Sequence, residues 1–413
     1  MRKKIAFVTP IYLPAPLYGS DNAVRILAED LVTAGYNVTV ITSDAATPRY
    51  WYDPFFGKKI SPDAPRMING VHVIRLSSNQ LIASLAFVLS RFLGQLLLED
   101  MRGVIDILSN GPYLMGLDVV LKKEAPDVIH CSPFPLNINR QVVRAIVHLK
   151  QKPMLILTPF FHASVSSYHN RALGAVIQRA DVIHAISFAE KKDMEAFFPE
   201  SKGKITVLPL YLRTEVMHTS QALEKDILMF KKKYAIEGKK IVLLAGLKGR
   251  MKGALDTLRV VQEYAKKDNS VVLVAIGHNT SEWNEMLRTL NDTDFLRDFS
   301  YVDEREKEII FASCDVFCMP SISETFGYVY LEAWHKKKPV IGADISAMRE
   351  LIQASDAGLL VPYGNLRDIQ SAIERLINDS ALSKTLGEHG QKALIDKYSM
   401  KSVFPQYRKM FIV

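Results

Sequence analysis

The chain has 413 residues, 48% hydrophobic and 23% charged, which excludes a disordered, collagen-like or coiled-coil protein and suggests two or three domains. Its three cysteines, Cys131, Cys314 and Cys318, include no Cys-x-x-Cys pair, which excludes a disulfide framework and argues against a zinc or redox site. The net charge of +8 suits an anionic partner without naming one, and a reducing compartment is the default.

The apolar run Ile5–Val8 is broken by Thr9, Pro10 and Pro14 before a signal-peptide core could form, so it reads as a buried first strand. The ten-residue loop after it is built of Pro and aromatics with a single glycine, Gly19, and lacks the Gly-x-Gly-x-x-Gly of a dinucleotide site. A Gly-Ser pair opening a helix can still offer N–H groups to an anion, or Ser20 or Asp21 can simply cap the helix. Next comes Leu81–Leu98, 18 residues containing Arg91, Gly94 and Gln95. Ser84, Arg91, Gln95 and Arg102 form one narrow polar stripe at helical spacing. Three readings stay open: a helix buried on most of its circumference, a helix lying on a membrane surface with Arg91 at the head groups, and, least favoured, a span, which needs about 20 apolar residues.

Strands are expected at Ile5–Thr9, Val38–Thr42, Val128–His130, Met154–Thr158, Val182–Ala185 and Ile205–Leu208, with helices such as Asn22–Ala34 and Arg140–Lys150 between them. The alternation restarts at Ile241–Ala245 and continues through Val271–Ile276, Val316–Met319 and Val340–Ala343. Short buried strands separated by helices indicate parallel sheets with right-handed crossovers. The series therefore predicts two Rossmann-like α/β domains, breaking near Pro209–Thr214.

Two segments of the second series carry chemistry. Leu243–Gly253 (LLAGLKGRMKG) follows a strand and sets Lys248, Arg250 and Lys252 among three glycines, suited to neutralising a diphosphate at the carboxyl end of a sheet. It is no Walker loop, because Gly-x4-Gly-Lys-Ser/Thr is absent. Pro320–Gly342 (PSISETFGYVYLEAWHKKKPVIG) runs from a strand end through a polar loop into a helix, placing Thr325, Phe326 and Gly327 at a positive helix terminus. Glu324 and Glu332 are eight residues apart, about 12 Å along a helix, too far for the two carboxylates of a retaining glycosidase at about 5–5.5 Å. Separate duties fit them better. Asp292 and Asp294 mimic a metal-binding Asp-x-Asp, but chance explains the match better.

With these motifs together, the chain resembles the family-4 glycosyltransferases of GT-B fold, over essentially its whole length. The match rests on ETFGYVYLE (324–332) after DVFCMPS (315–321), then GADISAMRELI (342–352), GLLVPYGN (358–365), RADVIHAIS (179–187) and the tail YSMKSVFPQYRKMF (398–411). The resemblance implies two Rossmann-like doubly wound domains facing a central cleft: residues 1–208 with a crossover helix 397–413 on the acceptor side, and 209–396 on the donor side. It implies retaining transfer of a hexose from a nucleoside diphosphate sugar to a hydroxyl, with no metal. Glu324 and His162 would serve the sugar, and Lys252 the diphosphate, with Arg250 beside it. Thr325, Phe326 and Gly327 would act through backbone N–H groups, Glu332 on the ribose and Val302 at the base. Gly19 and Ser20 would lie near donor phosphate and acceptor.

Four positions depart from the family pattern. Leu247 stands where an Arg is usual, LYLR (210–213) where Asn-Gly-Val-Asp is common, and Ser20 and Lys337 where Gly is common. Lys248 or Arg250 would supply the missing charge. A sugar-nucleotide binder without turnover and a nucleotide-sugar epimerase stay open as alternatives. Residues 1–208 hold 23 basic and 17 acidic residues, so most of the positive excess lies on the acceptor side. The expected partners are a nucleotide sugar and a carbohydrate or lipid-linked acceptor, with no nucleic acid. The expected location is cytoplasmic, peripheral to a membrane through 81–98.

Overall fold

The computed structural model describes residues 3–17, 19–53, 55–93, 99–214 and 220–412, apart from the side chains of Arg91, Leu93, Glu99, Asp100, Ser220 and Gln221. The chain divides into two units, Met1–Leu208 with Gln406–Val413, and Pro209–Pro405. Each is a sheet flanked by helices.

In the first unit the strands are β1 (Lys4–Val8), β2 (Asn37–Ser43), β3 (Met67–Ile68), β4 (Val71–Leu76), β5 (Val128–Cys131), β6 (Met154–Leu157), β7 (Val182–Ala185) and β8 (Ile205–Val207). Their order is β3-β4-β2-β1-β5-β6-β7-β8, with every pair parallel except β3–β4. Ile5, Phe7, Ile129 and Ile156 are buried from both faces, which is why these strands read as unbroken apolar runs rather than alternations. Neighbouring strand order reverses between β1 and β5, so the loops after those strands diverge and leave a crevice at their carboxyl ends.

The second unit has β9 (Lys240–Ala245), β10 (Val271–Ile276), β11 (Leu296–Phe299), β12 (Val316–Met319), β13 (Val340–Ala343) and β14 (Gly358–Val361). All are parallel, in the order β11-β10-β9-β12-β13-β14, and the reversal falls between β9 and β12. Strand β10 is buried at every residue. Sequence periodicity missed β3, β4, β11 and β14. β4 is an edge-side strand with half-exposed residues, and β11 carries Arg297 and Asp298, so neither presents a continuous apolar run.

Helix α1 (Gly19–Thr33) begins one residue before Ser20, so Ser20 lies inside its first turn and neither Ser20 nor Asp21 is its cap. Asp21 is buried instead and accepts from Thr9 Oγ1 at 3.5 Å. Helix α2 (Gln80–Leu93) and α3 (Glu99–Leu108) pack on each other. Among the described side chains of α2 only Ala83 and Ala86 are buried, while Leu81, Leu85, Val88 and Phe92 are exposed. Their spacing of four, three and four puts them on one face, so α2 is not buried on most of its circumference. Small alanines face inward and the large apolar side chains face solvent. Ser84 donates to Tyr52 O at 2.7 Å, so the narrow polar stripe points partly into the protein. Gln95 and the Arg91 side chain lie outside the described part. No helix among the described residues is long and apolar enough to cross a membrane.

The last helix, Met400–Met410, belongs to the second unit up to Pro405 and to the first from Gln406. Its end closes a buried polar chain in the first unit. His130 Nε2 lies 2.7 Å from Thr158 Oγ1, which lies 2.9 Å from His184 Nδ1. His184 Nε2 donates to Leu208 O at 2.8 Å and lies 3.1 Å from Tyr407 OH. A carbonyl can only accept, so His184 carries its proton on Nε2, Nδ1 accepts from Thr158, and Thr158 accepts from His130. Phe411 covers the end of the chain, with its ring 5.9 Å from Phe7 and 6.1 Å from His130.

Burial holds both imidazoles neutral, lowering His184 to about 4 and, with repulsion from His184 as a lesser cause, His130 to about 3. The unfolded chain takes up these protons near pH 6.5 and the folded one does not, so their contribution is present above that pH and is lost as pH falls towards 4. The first unit should lose about 1.4 kcal/mol per pH unit for each histidine across that window. A urea midpoint lower at about pH 5 than at about pH 7, with a shallower slope in His184→Gln, is the expected result.

Candidate functional site

In the second unit the loops after β9 and β12, on either side of the strand-order reversal, are sewn together. Ser321 Oγ and the Ile322 N–H both donate to Met251 O, at 3.1 and 3.0 Å. Gly253 has φ +69°, and a Cβ there would sit 2.5 Å from Pro320 O, so only glycine lets the two loops touch. That contact delivers Lys252 Nζ to Ser323 O at 3.1 Å and to Glu324 Oε2 at 2.8 Å. The pair is partly shielded, with 26% of the Lys252 side chain and 12% of Glu324 exposed. The basic loop and the glutamate of the second motif are therefore one site.

Gly327 ends the second loop at φ +86° and precedes the helix Tyr328–His335. A Cβ there would meet Tyr330 Cδ2 at 2.5 Å, and the fully buried Tyr330 anchors the turn through its hydroxyl to Met319 O at 2.5 Å. Phe326 is buried edge-on against Tyr398 at 5.7 Å, and Thr325 is also buried. These residues can meet a ligand through their backbone N–H groups, at the positive end of the helix.

Glu332, about one turn along the same helix, is paired with Lys307 at 2.8 Å. Lys307 also pairs with Glu304 at 2.9 Å. Burial opposes its charge, but the two carboxylates outweigh burial and hold the ammonium above its usual range. Sequence reasoning did not single out Lys307. It lies on the helix Glu304–Ser313, in a run of alternating charges that reads as a solvated face. Val302 is half-buried in the loop between β11 and that helix, one residue before its N-cap Asp303.

The other two cations of the basic loop have different environments. Lys248 cannot supply charge to a diphosphate. Its side chain is fully buried, ion-paired with Asp298, bonded to Phe299 O at 3.1 Å and set 5.4 Å from the Trp283 ring centroid. Burial lowers its pKa against the pull of Asp298. Arg250 is largely exposed, with its N–H donating to Glu282 at 3.0 Å and its guanidinium 3.4 Å from the same carboxylate. Tyr363 OH pins the Arg250 carbonyl at 3.0 Å. Leu247 is half exposed beside them. Asp292 and Asp294 form a local turn, with the Asp294 N–H donating to Asp292 at 2.8 Å. Among the described residues, no group of three or more His, Cys, Asp and Glu could hold a metal ion.

In the first unit, His162 follows β6 in the loop after Phe161, half-buried, with its ring edge-on to Tyr168 at 5.4 Å. Gly19 is exposed at the start of α1, with nothing within 4 Å of a would-be Cβ. Ser20 is half-buried next to it. His162 lies on the loop after β6, and Gly19 and Ser20 open the helix that follows the loop after β1.

Two α/β units, each with its crevice at a strand-order reversal, and a cation–carboxylate pair at a helix N-terminus describe a class of enzyme that handles sugar nucleotides. Residues 226–393 match the family model "Glycosyl transferases group 1". An uncharacterized glycosyltransferase of Methanocaldococcus jannaschii is 22% identical over 97% of this chain and 95% of its own length. A phosphatidyl-myo-inositol mannosyltransferase of Mycobacterium leprae is 26% identical over 71% of this chain and 72% of its own. HepE of Anabaena, solved with UDP and glucose, superposes with TM-score 0.74 at 15% identity, covering 99% of both chains. Residues 226–393 are a group 1 glycosyltransferase segment, the chain as a whole has the GT-B fold, and the protein is a glycosyltransferase that transfers a sugar from a nucleotide-sugar donor.

Substituting Gly253→Ala should separate the two loops. The expected cost is about 1–3 kcal/mol of stability in the second unit, from the left-handed backbone and the clash with Pro320. Donor affinity should fall with it. Chemical denaturation together with nucleotide titration measures both.

Proposed function

We propose that this enzyme moves a hexose from a nucleoside diphosphate sugar to a hydroxyl of a glycan, glycolipid or small acceptor, with retention at the anomeric carbon. The observation that carries this reading is the Lys252–Glu324 pair, 2.8 Å apart, beside the N-terminus of Tyr328–His335. A bound diphosphate competes for Lys252, and Glu324 is then released to accept from sugar hydroxyls. The bond between the anomeric carbon and the diphosphate oxygen breaks, and its electron pair goes to the diphosphate. Lys252, Arg250 and the helix terminus at Gly327 stabilise that charge. The acceptor oxygen bonds the anomeric carbon on the same face, and its proton passes to the departing phosphate. His162 and Glu324 orient the sugar and offset the positive charge that develops on it. Glu332, paired with Lys307, accepts from the ribose hydroxyls, and Val302 meets the base through its backbone. Gly19 and Ser20 offer N–H groups to phosphate or acceptor. The likeness to HepE, held with UDP and glucose, supports a nucleoside diphosphate hexose.

A second reading, donor binding without turnover, is favoured by one pair of observations: Leu247 is apolar and Lys248 is buried, leaving fewer cations for the diphosphate. Donor binding with neither transfer nor slow donor hydrolysis would select it.

We also propose that the enzyme is cytoplasmic and peripheral to a membrane. The exposed stripe Leu81, Leu85, Val88 and Phe92 on α2, with the exposed Phe55 and Phe56, supports this reading, as does the basic excess of residues 1–208. The likeness to a phosphatidyl-myo-inositol mannosyltransferase agrees with a lipid-linked acceptor.

Glu324→Ala, Lys252→Ala and His162→Ala should each lower transfer about a hundredfold or more with the fold intact, read by product formation and circular dichroism. Wild-type rates in all three would sink the assignment. The protein should sediment with anionic vesicles at low salt, and Leu85→Ser with Phe92→Ser should abolish it.

A further inference from the structure

A cavity of about 880 Å³ lies wholly within the first unit, between α3, the loop after β6 and the segment around Tyr52. Its walls are tied together. Asn170 Nδ2 donates to Gly103 O of α3 at 2.7 Å, and its Oδ1 accepts from the Ala172 N–H at 2.9 Å. A Cβ at Gly103 would lie 2.8 Å from that Oδ1, so a larger residue there would displace the Asn170 side chain. On the opposite wall, Tyr52 OH accepts from the Gly111 N–H at 2.6 Å, and its ring lies 6.1 Å from Phe87. The cavity is preformed.

Its charges are uneven. Arg102 of α3 and Arg171 of the β6 loop both line it, and no ion-pair partner is recorded for either among the described residues. Among the described lining residues the one carboxylate, Asp106, already accepts from Ser90 Oγ at 2.5 Å. Two guanidinium groups without a carboxylate partner, beside aromatic rings, suit a phosphate carried on a polyol. The guanidinium fork matches phosphate oxygens, and an aromatic face packs on the C–H face of a polyol. Phe87 is shared: it lines this cavity and is half exposed on α2, the helix with the apolar stripe. The cavity therefore opens beside an apolar helix face that could take a lipid tail.

We propose that this cavity binds the phosphorylated headgroup of the acceptor, with Arg102 and Arg171 holding the phosphate and Tyr52 and Phe87 walling the polyol. The word acceptor rests on the transferase reading above, but phosphate binding is testable without transfer.

The probe is sn-glycerol 3-phosphate, titrated calorimetrically into the full chain, with glycerol as control. Binding of the phosphate and not of glycerol is expected. Arg102→Gln and Arg171→Gln should each weaken it about tenfold, with UDP affinity unchanged. Vesicles of phosphatidylcholine with phosphatidylglycerol distinguish the source. If the headgroup comes from a lipid, the double arginine variant and Leu85→Ser/Phe92→Ser both lose these vesicles, but only the arginine variant loses glycerol phosphate. If the phosphate is a soluble one, the wild type binds glycerol phosphate and ignores the vesicles. No glycerol phosphate binding by the wild type, or equal binding by the double arginine variant, overturns the proposal. Loss of UDP binding or of donor turnover in the Lys252 and Glu324 variants bears on the transferase reading alone.

Discussion

The candidate site of the second unit depends on how closely two loops approach at one glycine. β9 and β12 are neighbours in the sheet, but their following helices pack on opposite sides, so the loops leave the strand ends in different directions. They meet because Gly253 can sit against Pro320. Everything else at the site follows from that meeting: the hydrogen bonds from Ser321 and Ile322 to Met251, the reach of Lys252 to Glu324, and the placing of both beside the helix terminus at Gly327. An ion pair between partly exposed side chains contributes little stability by itself. Its value here is position, because it holds a cation and a carboxylate ready at a point where anionic ligands already gain from backbone N–H groups.

Each ionisable residue near the site has been given a separate task by its surroundings. Lys248 is four residues from Lys252 and chemically the same, yet it is buried with Asp298 under Trp283 and serves the scaffold. Glu332 and Glu324 lie in one motif, yet one is held by Lys307 and the other by Lys252. The same separation operates in the first unit. There, His184 and His130 are neutral links in a chain that receives the returning C-terminal helix, while His162 stands half-buried on a loop.

The first unit also departs from the usual sorting of apolar side chains. In α2 the alanines face inward and Leu81, Leu85, Val88 and Phe92 face out. Scattered exposed leucines need no explanation, but a face of four at helical spacing, with Phe55 and Phe56 also exposed, is a surface that gains free energy by leaving water.

Much was legible in the chain. Alternating apolar runs and helical periods gave two doubly wound sheets, because strands buried on both faces must be apolar throughout, and the spacing in ETFGYVYLE marked the site-bearing loop and helix. Strands β4 and β11 were not legible, since an edge-side strand and one carrying Arg297 and Asp298 lose that signature. Nor could the sequence choose among Lys248, Arg250 and Lys252, or find Lys307, or tell which side of α2 faces water. Composition and periodicity depend on local residue type, and they determined the class of fold and the chemical types at the site. Pairing depends on distances across the sheet between residues some 70 positions apart, such as Lys252 and Glu324, and only the tertiary structure decides those.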